Sequence, residues 1–293
     1  MSDSIIKNQL SKIIFIVGPT ASGKSGLAME IAQRHDGEII CADSQTLRKD
    51  LDIGTAKPSA EDRAEIRHHM LDIIGPYDAF SVTEFQKLAA AAIKDIQSRN
   101  KLPIVVGGTG LYVDSLFYQY DLNEQKSSAD LKKQLQSKSV QELQQIIINN
   151  KWQMPENRDN PRHLIGLILR GGQVRHNSKP VKGAMIYGIL PDDETLKSRI
   201  NNRIETMFAN GFVHEVEGVL EKHGRPPKTL DAIGYPITID YLDGHKSLDE
   251  IVELFSRGHW QYARRQKSWF KRNEHIIWSS SSDEALQKIE QIL

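Results

Sequence analysis

The stretch Gly18-Pro19-Thr20-Ala21-Ser22-Gly23-Lys24-Ser25 decides the fold, because it matches the glycine-rich pattern of a phosphate-binding loop, or P-loop. The β-branched run 12–17 precedes it, and apolar residues recur at helical spacing from 24 to 34. A strand, a tight loop and a helix in this order present backbone N–H groups and a helix dipole to an anion. We therefore expect all eight residues to bind the diphosphate or triphosphate of a small ligand. Lys24 is expected between phosphate oxygens, and Ser25 stands where such loops usually ligate Mg²⁺.

Two further apolar runs end in polar residues. Residues 37–42 lead to Asp43, and residues 102–106 lead to Gly107-Gly108-Thr109-Gly110, with an alanine-rich helical stretch at 82–98 between them. Strands that alternate with helices predict an α/β fold, here a P-loop NTPase-like fold of three layers with a mostly parallel sheet. Ligands of such sheets bind outside the carboxyl ends of the strands, where all three polar clusters fall. The pattern alone leaves transfer, hydrolysis and displacement of the phosphate open.

The middle of the chain has a different character. Residues 123–182 are polar and helical in pattern and rich in Gln and Lys, so we predict a small helical insertion domain there. The catalytic core is predicted to comprise residues 1–122 and 183–293. In its second part, strands are predicted at 184–190 and 275–278, and helical sequence at 192–222, 247–269 and 282–293.

The composition indicates a globular protein. The 293 residues are 39% hydrophobic, and 38 Lys plus Arg balance 38 Asp plus Glu, so the net charge predicts no partner. The single cysteine, Cys41, lies in an apolar run and is expected to be a small buried core residue. No apolar run approaches the ~20 residues of a spanning helix, so we expect a cytoplasmic protein without membrane contact. We also expect a monomer.

Four motifs together resemble one family. Besides the P-loop, they are Asp43-Ser44, Asp52-Ile53-Gly54-Thr55-Ala56-Lys57-Pro58 and Gly107-Gly108-Thr109-Gly110-Leu111-Tyr112. In order and spacing they resemble the tRNA dimethylallyltransferases, also called tRNA isopentenyltransferases, which modify adenosine-37 beside the anticodon. The stretch 52–58 is far more specific than the P-loop. The segment 262–270 also resembles the basic and aromatic helix of that family.

The resemblance implies a transfer reaction. The family moves a dimethylallyl group from its diphosphate to N6 of adenine and releases diphosphate. By this resemblance Lys24, Mg²⁺ at Ser25 and the loop amides stabilise charge on the leaving diphosphate. Asp43 is the implied general base for the N6 proton, and Thr109 the implied contact near the bridging oxygen or the target adenine. Without the resemblance, Asp43 could cap a helix or position Mg²⁺, and Thr109 could cap the helix that follows it.

Contacts with the anticodon stem-loop of tRNA are expected from the active site, the insertion and the C-terminal helix. The expected contact residues are Asp43, Ser44, Gln45, Thr46, Thr109, Arg162, Arg264 and Arg265. Residues 257–272 interleave six basic with four aromatic side chains, which suits phosphates and stacked bases. The alternative is an amphipathic helix with buried aromatic rings. Compared with the family, a glutamine stands one place early as Gln45, and Asp231 replaces an arginine.

Other functions stay open on the sequence alone. A P-loop, an acidic residue at a strand end and a helical insert also describe small-molecule kinases, which bind ATP. A prenyltransferase that acts on free adenine nucleotides is closer in chemistry, and an RNA-binding protein with a vestigial P-loop is a third alternative. The insertion and the basic segment favour a macromolecular acceptor.

Overall fold

A parallel sheet forms the centre of the computed structural model, which describes residues 12–120, 129–155, 157–169, 171–172, 179–226 and 232–293. The strands are β1 (Ile13–Val17), β2 (Gly37–Cys41), β3 (His68–His69), β4 (Leu102–Gly107), β5 (Ala184–Ile189) and β6 (Ile277–Ser279). Within the described ranges they form one sheet in the order β3-β2-β4-β1-β5-β6, and every pair is parallel. Every residue of β1, β2 and β4 is buried, as in a sheet covered on both faces. The predicted α/β fold is confirmed.

The helices alternate with the strands in the first half of the chain and dominate the second half. They are α1 (Lys24–Arg34), α2 (Ala60–Glu65), α3 (Val82–Ser98), α4 (Gly110–Phe117), α5 (Ala129–Gln136), α6 (Val140–Asn149), α7 (Pro161–Leu169), α8 (Asp193–Ala209), α9 (Phe212–His223), α10 (Tyr235–Leu242), α11 (Leu248–Phe270) and α12 (Ser282–Glu290).

Helices α1 and α3 begin and end where the apolar spacing predicted. Two other predicted elements need correction, and three short elements were not predicted. The helical sequence 192–222 is two helices, because Gly211 takes a left-handed φ of 90° and ends the first of them. The final strand lies at Ile277–Ser279 and not at 275–278. Pattern reasoning missed α2, β3 and α10, which are short and carry little periodicity.

The chain divides into two compact units. One comprises residues 1–117 and 180–293, and the other comprises residues 118–179, compared with the predicted insertion at 123–182. In the larger unit, the chain leaves at Phe117 and returns at Val181, whose N–H donates to the Phe117 carbonyl at 2.9 Å. The smaller unit has its own apolar cluster, formed by Leu135, Leu143, Ile147, Leu164 and Leu167.

The larger unit has an apolar cluster that joins helices α8 to α11. Phe212, Tyr235 and Phe255 are buried at its centre, with the rings of Phe212 and Phe255 stacked at 5.0 Å. This cluster fixes one face of α11 against α8, and both helices carry residues of the site described below. Cys41 is buried, as predicted. Among the described helices, none combines the length and the apolar character that a membrane span requires.

Candidate active site

A cavity of about 790 Å³ opens at the carboxyl ends of the central strands. Because β4 lies between β1 and β2, the P-loop, the segment after Asp43 and the Gly107-Gly108 turn meet at one edge of the sheet. The cavity is lined by Thr20, Lys24, Ser25, Gly26, Ala28, Met29, Ile39, Cys41, Asp43, Ser44, Gln45, Thr46, Gly54, Thr55, Ala56, Lys57, Pro58, Asp62, His68, Val106, Gly107, Arg203, Ala232, Ile233, His259, Tyr262, Arg265 and Gln266.

The P-loop adopts the turn that its glycines predict. Gly23 has a φ of 98°, and a Cβ there would lie 2.6 Å from Ser282 Oγ, so a side chain would meet both strain and a clash. Helix α1 begins at the next residue, Lys24, whose Nζ donates to the Pro19 carbonyl at 3.0 Å. The exposed hydroxyl of Ser25 makes no hydrogen bond with any described residue and lines the cavity. The loop therefore offers amides, an ammonium and a hydroxyl to a ligand.

The predicted phosphate residues do not all reach the main cavity. Thr20, Lys24 and Ser25 line it, while Ala21 and Gly23 line only a smaller cavity of about 270 Å³, which Lys24 and Ser25 line as well. Gly18, Pro19 and Ser22 line neither and shape the turn instead. Phosphate binding by the whole loop stays a prediction.

Two arginines of α8 reach the P-loop, and sequence reasoning missed both. Arg199 and Arg203 line the smaller cavity, and Arg203 also lines the main cavity. The Arg199 guanidinium donates to the Ser22 carbonyl at 3.4 Å. Arg203 makes no hydrogen bond or ion pair with a described residue, so its guanidinium is available to an anion. The two arginines stand four apart, on one helical face, and that spacing was a readable signal.

Burial and charge lower the pKa of Lys24 to about 8. Burial is the larger cause, and the positive charge of Arg203 adds to it, while the Asp43 carboxylate opposes both. Burial also lowers the pKa of Arg203, again opposed by Asp43. Two cations near one carboxylate make this part of the cavity a site for an anion.

Asp43 stands directly after β2, in a turn that it helps to hold. One carboxylate oxygen accepts the Gln45 N–H at 2.8 Å, and the Asp43 carbonyl accepts the Thr46 hydroxyl at 3.3 Å. Asp43 thus holds a turn and does not cap a helix, and this contact occupies only Oδ1. The other oxygen accepts no hydrogen bond from a described residue, and the side chain lines the cavity. It can therefore accept a proton from a ligand.

Thr109 connects the β4 loop to the loop after β2. Its hydroxyl accepts the Ser44 N–H at 3.0 Å and lies 3.4 Å from Ser44 Oγ. The Thr109 carbonyl receives the N–H groups of Tyr112 and Val113 at the start of α4. The helix is thus begun by the Thr109 backbone, and the Thr109 side chain adjoins the cavity through Ser44.

Gln266 of α11 holds two of the loops together and was not singled out from the sequence. Its Oε1 accepts the Thr20 N–H at 2.8 Å, and its Nε2 donates to the Gly108 carbonyl at 3.0 Å. A Cβ on Gly108 would lie 2.0 Å from that Nε2, so only glycine admits the bridge. Since Gln266 is 4% exposed, both bonds form away from water. The side chain fixes the P-loop relative to the β4 loop.

The basic and aromatic segment 257–272 agrees in part with the alternative interpretation, that of an amphipathic helix with buried aromatic rings. The rings of Trp260, Tyr262 and Trp269 are partly buried, and the side chains of Arg264 and Arg265 are exposed. Tyr262 lines the cavity, and burial, followed by the charge of Asp43, raises the pKa of its phenol. Hydrogen bonding with Thr109 and Gln266 opposes that rise.

The loop 52–57 is clamped over the cavity by Glu215 of α9. The carboxylate accepts the N–H groups of Asp52, Ile53 and Gly54 at 2.8, 2.6 and 3.0 Å. It also accepts the Tyr235 hydroxyl at 2.6 Å. Such a carboxylate cannot be recognised from the sequence, because its partners are backbone groups more than a hundred residues away.

Lys57 secures the other end of the same loop. Its buried ammonium donates to Asp52, to Asp72 and to the Arg48 carbonyl. The stretch 52–58 therefore lines the cavity through Gly54 to Pro58.

The residues that depart from the family pattern have distinct places. Gln45 and Thr46 line the cavity, and the buried Oε1 of Gln45 has no partner among the described residues. Arg48 donates to the carbonyls of Pro76 and Asp78 and so supports the loop. Asp231 lies outside the described residues.

Of the three arginines predicted to bind tRNA, Arg265 lines the cavity and Arg264 does not. Arg162 belongs to α7 in the smaller unit, where its side chain is exposed. None of the three forms an ion pair with a described residue. Contact of these side chains with tRNA stays a prediction.

The family model and the similar sequences found by comparison all indicate one family. Residues 47–273 match the model of a family described as IPP transferase. A tRNA dimethylallyltransferase of Acetivibrio thermocellus is 35% identical over 291 residues, covering 94% of this chain and 93% of the relative. One of Carboxydothermus hydrogenoformans is 36% identical over 294 residues, covering 95% of this chain and 94% of the relative.

Solved structures agree with the sequence comparison. The tRNA isopentenylpyrophosphate transferase of Bacillus halodurans superimposes with a TM-score of 0.73 at 31% identity, covering 96% of this chain and 95% of that one. A eukaryotic dimethylallyltransferase acting on tRNA has a TM-score of 0.78 at 23% identity, covering 94% of this chain and 75% of that one. The second likeness bears on the fold alone.

Proposed function

Because this chain belongs to the IPP transferase family, as its motifs predicted, we propose that it transfers a dimethylallyl group to tRNA. The donor is dimethylallyl diphosphate, the acceptor is N6 of adenosine-37 in the anticodon loop, and diphosphate is released. One observation carries the proposal beyond the family name. Lys24 of the P-loop and Asp43 line a single cavity, with Thr109 bonded to Ser44 on its wall.

In the proposed reaction, Asp43 is the general base. The bond between C1 of the donor and its bridging oxygen breaks, a bond from N6 of adenine to C1 forms, and the N6 proton passes to Asp43. The Gln45 N–H holds Oδ1 and leaves the second oxygen to take the proton. Thr109 and Ser44 fix the loop on which Asp43 stands.

The P-loop holds the leaving group. The N–H groups of the P-loop other than those of Thr20 and Ser22, which are donated within the protein, bind the diphosphate together with Lys24 and Arg203 as negative charge grows on it. Gln266 accepts the Thr20 N–H and donates to the Gly108 carbonyl, so it fixes the shape of the P-loop and acts as a positioning residue.

The donor set of the site fits Mg²⁺. Ser25 offers an unbonded hydroxyl beside the phosphate site, and the described residues contain no cluster of three His, Cys, Asp or Glu able to hold a metal alone. Mg²⁺ is commonly held by one or two protein oxygens together with substrate phosphates and water. When bound at Ser25 it would neutralise charge on the departing diphosphate.

The acceptor is proposed to reach the cavity from the side of the exposed basic residues. Ser44, Gln45 and Thr46 meet the adenine, and Arg264 and Arg265 meet the backbone phosphates. Arg162 adds a contact from the insertion. The flipped base leaves its stack at little cost because the anticodon loop is unpaired. We further propose that the protein works as a monomer in the cytoplasm.

Incubation of the protein with Mg²⁺, dimethylallyl diphosphate and unmodified tRNA, followed by nucleoside mass spectrometry, tests the proposal. The expected product is N6-dimethylallyladenosine at position 37, and its yield should depend on the donor. Parallel reactions contain AMP or ATP as acceptor. Prenylation of the free nucleotide but not of tRNA would overturn the acceptor assignment, and phosphate transfer from ATP without prenylation would overturn the reaction itself.

A further inference from the structure

The proposed reaction leaves one buried polar side chain of the cavity without a role. His259 of α11 is 7% exposed and lines the cavity. Neither ring nitrogen makes a hydrogen bond with a described residue, and Nε2 is fully buried without a partner. Buried polar groups of this kind are costly unless something satisfies them. A ligand in the cavity is the natural source of the missing bond.

The neighbours of His259 include an aromatic ring, apolar lining residues of the cavity and one cation. Its ring packs edge-on against Phe255 with centroids 4.7 Å apart, and Ala232 and Ile233 line the cavity beside it. Arg203 is the charged group that faces it. Burial, followed by the charge of Arg203, lowers the pKa of His259 to about 3, so the imidazole is neutral.

These surroundings decide which part of a ligand meets His259. The diphosphate already has Lys24, Arg203 and the loop amides, which lie toward α1. An apolar wall suits the hydrocarbon tail of an allylic donor, since burying hydrocarbon is favourable. A single neutral imidazole within that wall suits a tail that carries one hydroxyl group.

We infer that the site accepts an allylic diphosphate hydroxylated at the end of its tail, and that His259 hydrogen-bonds this hydroxyl and sets the preference between hydroxylated and plain donor. The inference rests on the proposed function and names its donor class more closely. The bonds made and broken are those already given: C1 leaves its oxygen, N6 takes C1, and Asp43 takes the proton. The hydroxyl group passes unchanged into the product.

The test compares two donors in steady-state prenylation of tRNA. The parent protein should use 4-hydroxy-dimethylallyl diphosphate with a kcat/KM at least equal to that for dimethylallyl diphosphate. His259→Leu should lose about tenfold in kcat/KM for the hydroxylated donor alone, the worth of one hydrogen bond. His259→Gln, which keeps an amide nitrogen near the position of Nε2, should restore most of the loss.

Thr238→Val is the matched control. Thr238 belongs to the same region, is fully buried and also has an unpartnered side-chain oxygen, but it does not line the cavity. Its replacement should leave the ratio between the donors unchanged. Thermal melting of each variant confirms that it is folded before the kinetics are compared.

Three results would overturn the inference. The first is that the parent does not use the hydroxylated donor. The second is that His259→Leu loses kcat/KM equally for both donors. The third is that His259→Leu is also less inhibited by inorganic pyrophosphate, which would place His259 at the diphosphate. If neither donor is transferred by the parent, the proposed function fails instead. In that case the donor preference is measured by binding alone. Unreactive thiolodiphosphate analogues of the two donors are used, and their dissociation constants are compared between the parent and His259→Leu.

Discussion

At the scale of single residues, the cavity beside the P-loop balances two cations, Lys24 and Arg203, against the Asp43 carboxylate. Lys24 sits at a pKa of about 8 because burial and Arg203 disfavour its charge, and Asp43 only partly offsets them. The protein therefore keeps an ammonium whose protonation depends on pH and on what occupies the cavity. A diphosphate would add counter-charge to that of Asp43 and so favour the charged form of Lys24.

Affinity for inorganic pyrophosphate should fall as the pH rises from about 7 to about 9. Lys24 is protonated below its pKa of about 8 and loses its charge above it, so the sign is a loss of binding at high pH. Isothermal titration calorimetry at the two pH values measures this. Lys24→Arg keeps its charge throughout, and its affinity should change less. An equal change in the parent and in this variant would exclude Lys24 as the titrating group.

Arg203→Gln should raise the dissociation constant of the donor by roughly 10- to 100-fold, the worth of a charge-assisted hydrogen bond. It should also raise the pKa of Lys24, because one cause of its depression is removed. Lys197→Gln removes the same charge from an exposed position of α8 and serves as the control. Parent-like donor binding by Arg203→Gln would remove this residue from the diphosphate site.

Individual residues also show where sequence reasoning reaches its limit. Lys24, Asp43 and Thr109 were predicted because each belongs to a contiguous motif at a strand end. Gln266 was missed because its partners lie in loops distant in the chain, and a polar residue on a helix is usually exposed to solvent. The backbone bonds that give such residues their roles have no signature in the sequence.

At the scale of elements, Glu215 ties α9 to the loop 52–57. Its carboxylate accepts three backbone N–H groups and the Tyr235 hydroxyl, so a helix, a cavity wall and α10 depend on one side chain. The loop has no regular partner strand and takes its shape from Glu215 and from Lys57.

Glu215→Ala should lower the free energy of unfolding by about 2 kcal/mol, because several amides and a hydroxyl lose a charged acceptor. Donor turnover should fall as well, since the loop lines the cavity. Chemical denaturation followed by circular dichroism measures the stability. Glu217→Gln on the same helix is the control, since Glu217 meets only the exposed His214. Equal stability of the two variants would contradict the clamp.

The elements themselves were predicted in proportion to their periodicity. Helices α1 and α3 show clear apolar spacing, and both of their ends were predicted at the correct residue. The ends of most buried strands were predicted to within one residue. The break at Gly211 and the short helices α2 and α10 were not foreseen, because a two-residue turn does not interrupt the apolar pattern on either side.

At the scale of the whole molecule, a neutral chain has to bind a polyanion through local charge. Because the 38 basic and 38 acidic residues cancel, we expect tRNA affinity to come from local clusters such as the exposed arginines of α11. The insertion offers a further surface, and its two ends leave the core at hydrogen-bonded neighbours, Phe117 and Val181.

Replacing residues 118–179 by a short glycine-serine linker should therefore preserve the core. Pyrophosphate affinity should stay within about threefold of the parent, while tRNA affinity should fall by at least about tenfold, because the phosphate contacts of the insertion are lost. Calorimetry and filter binding at one fixed salt concentration measure the two. Unchanged tRNA affinity would show that the insertion does not contact the acceptor.

If Asp43 and the P-loop are two halves of one transfer site, single-turnover prenylation by Asp43→Asn and by Lys24→Ala should separate their roles. With saturating tRNA, Asp43→Asn should bind the donor within about threefold of the parent yet transfer its dimethylallyl group about 10² to 10⁴ times more slowly. Lys24→Ala should lose both donor affinity and transfer. Transfer by Asp43→Asn at the rate of the parent would contradict the account, because the N6 proton would then have another acceptor.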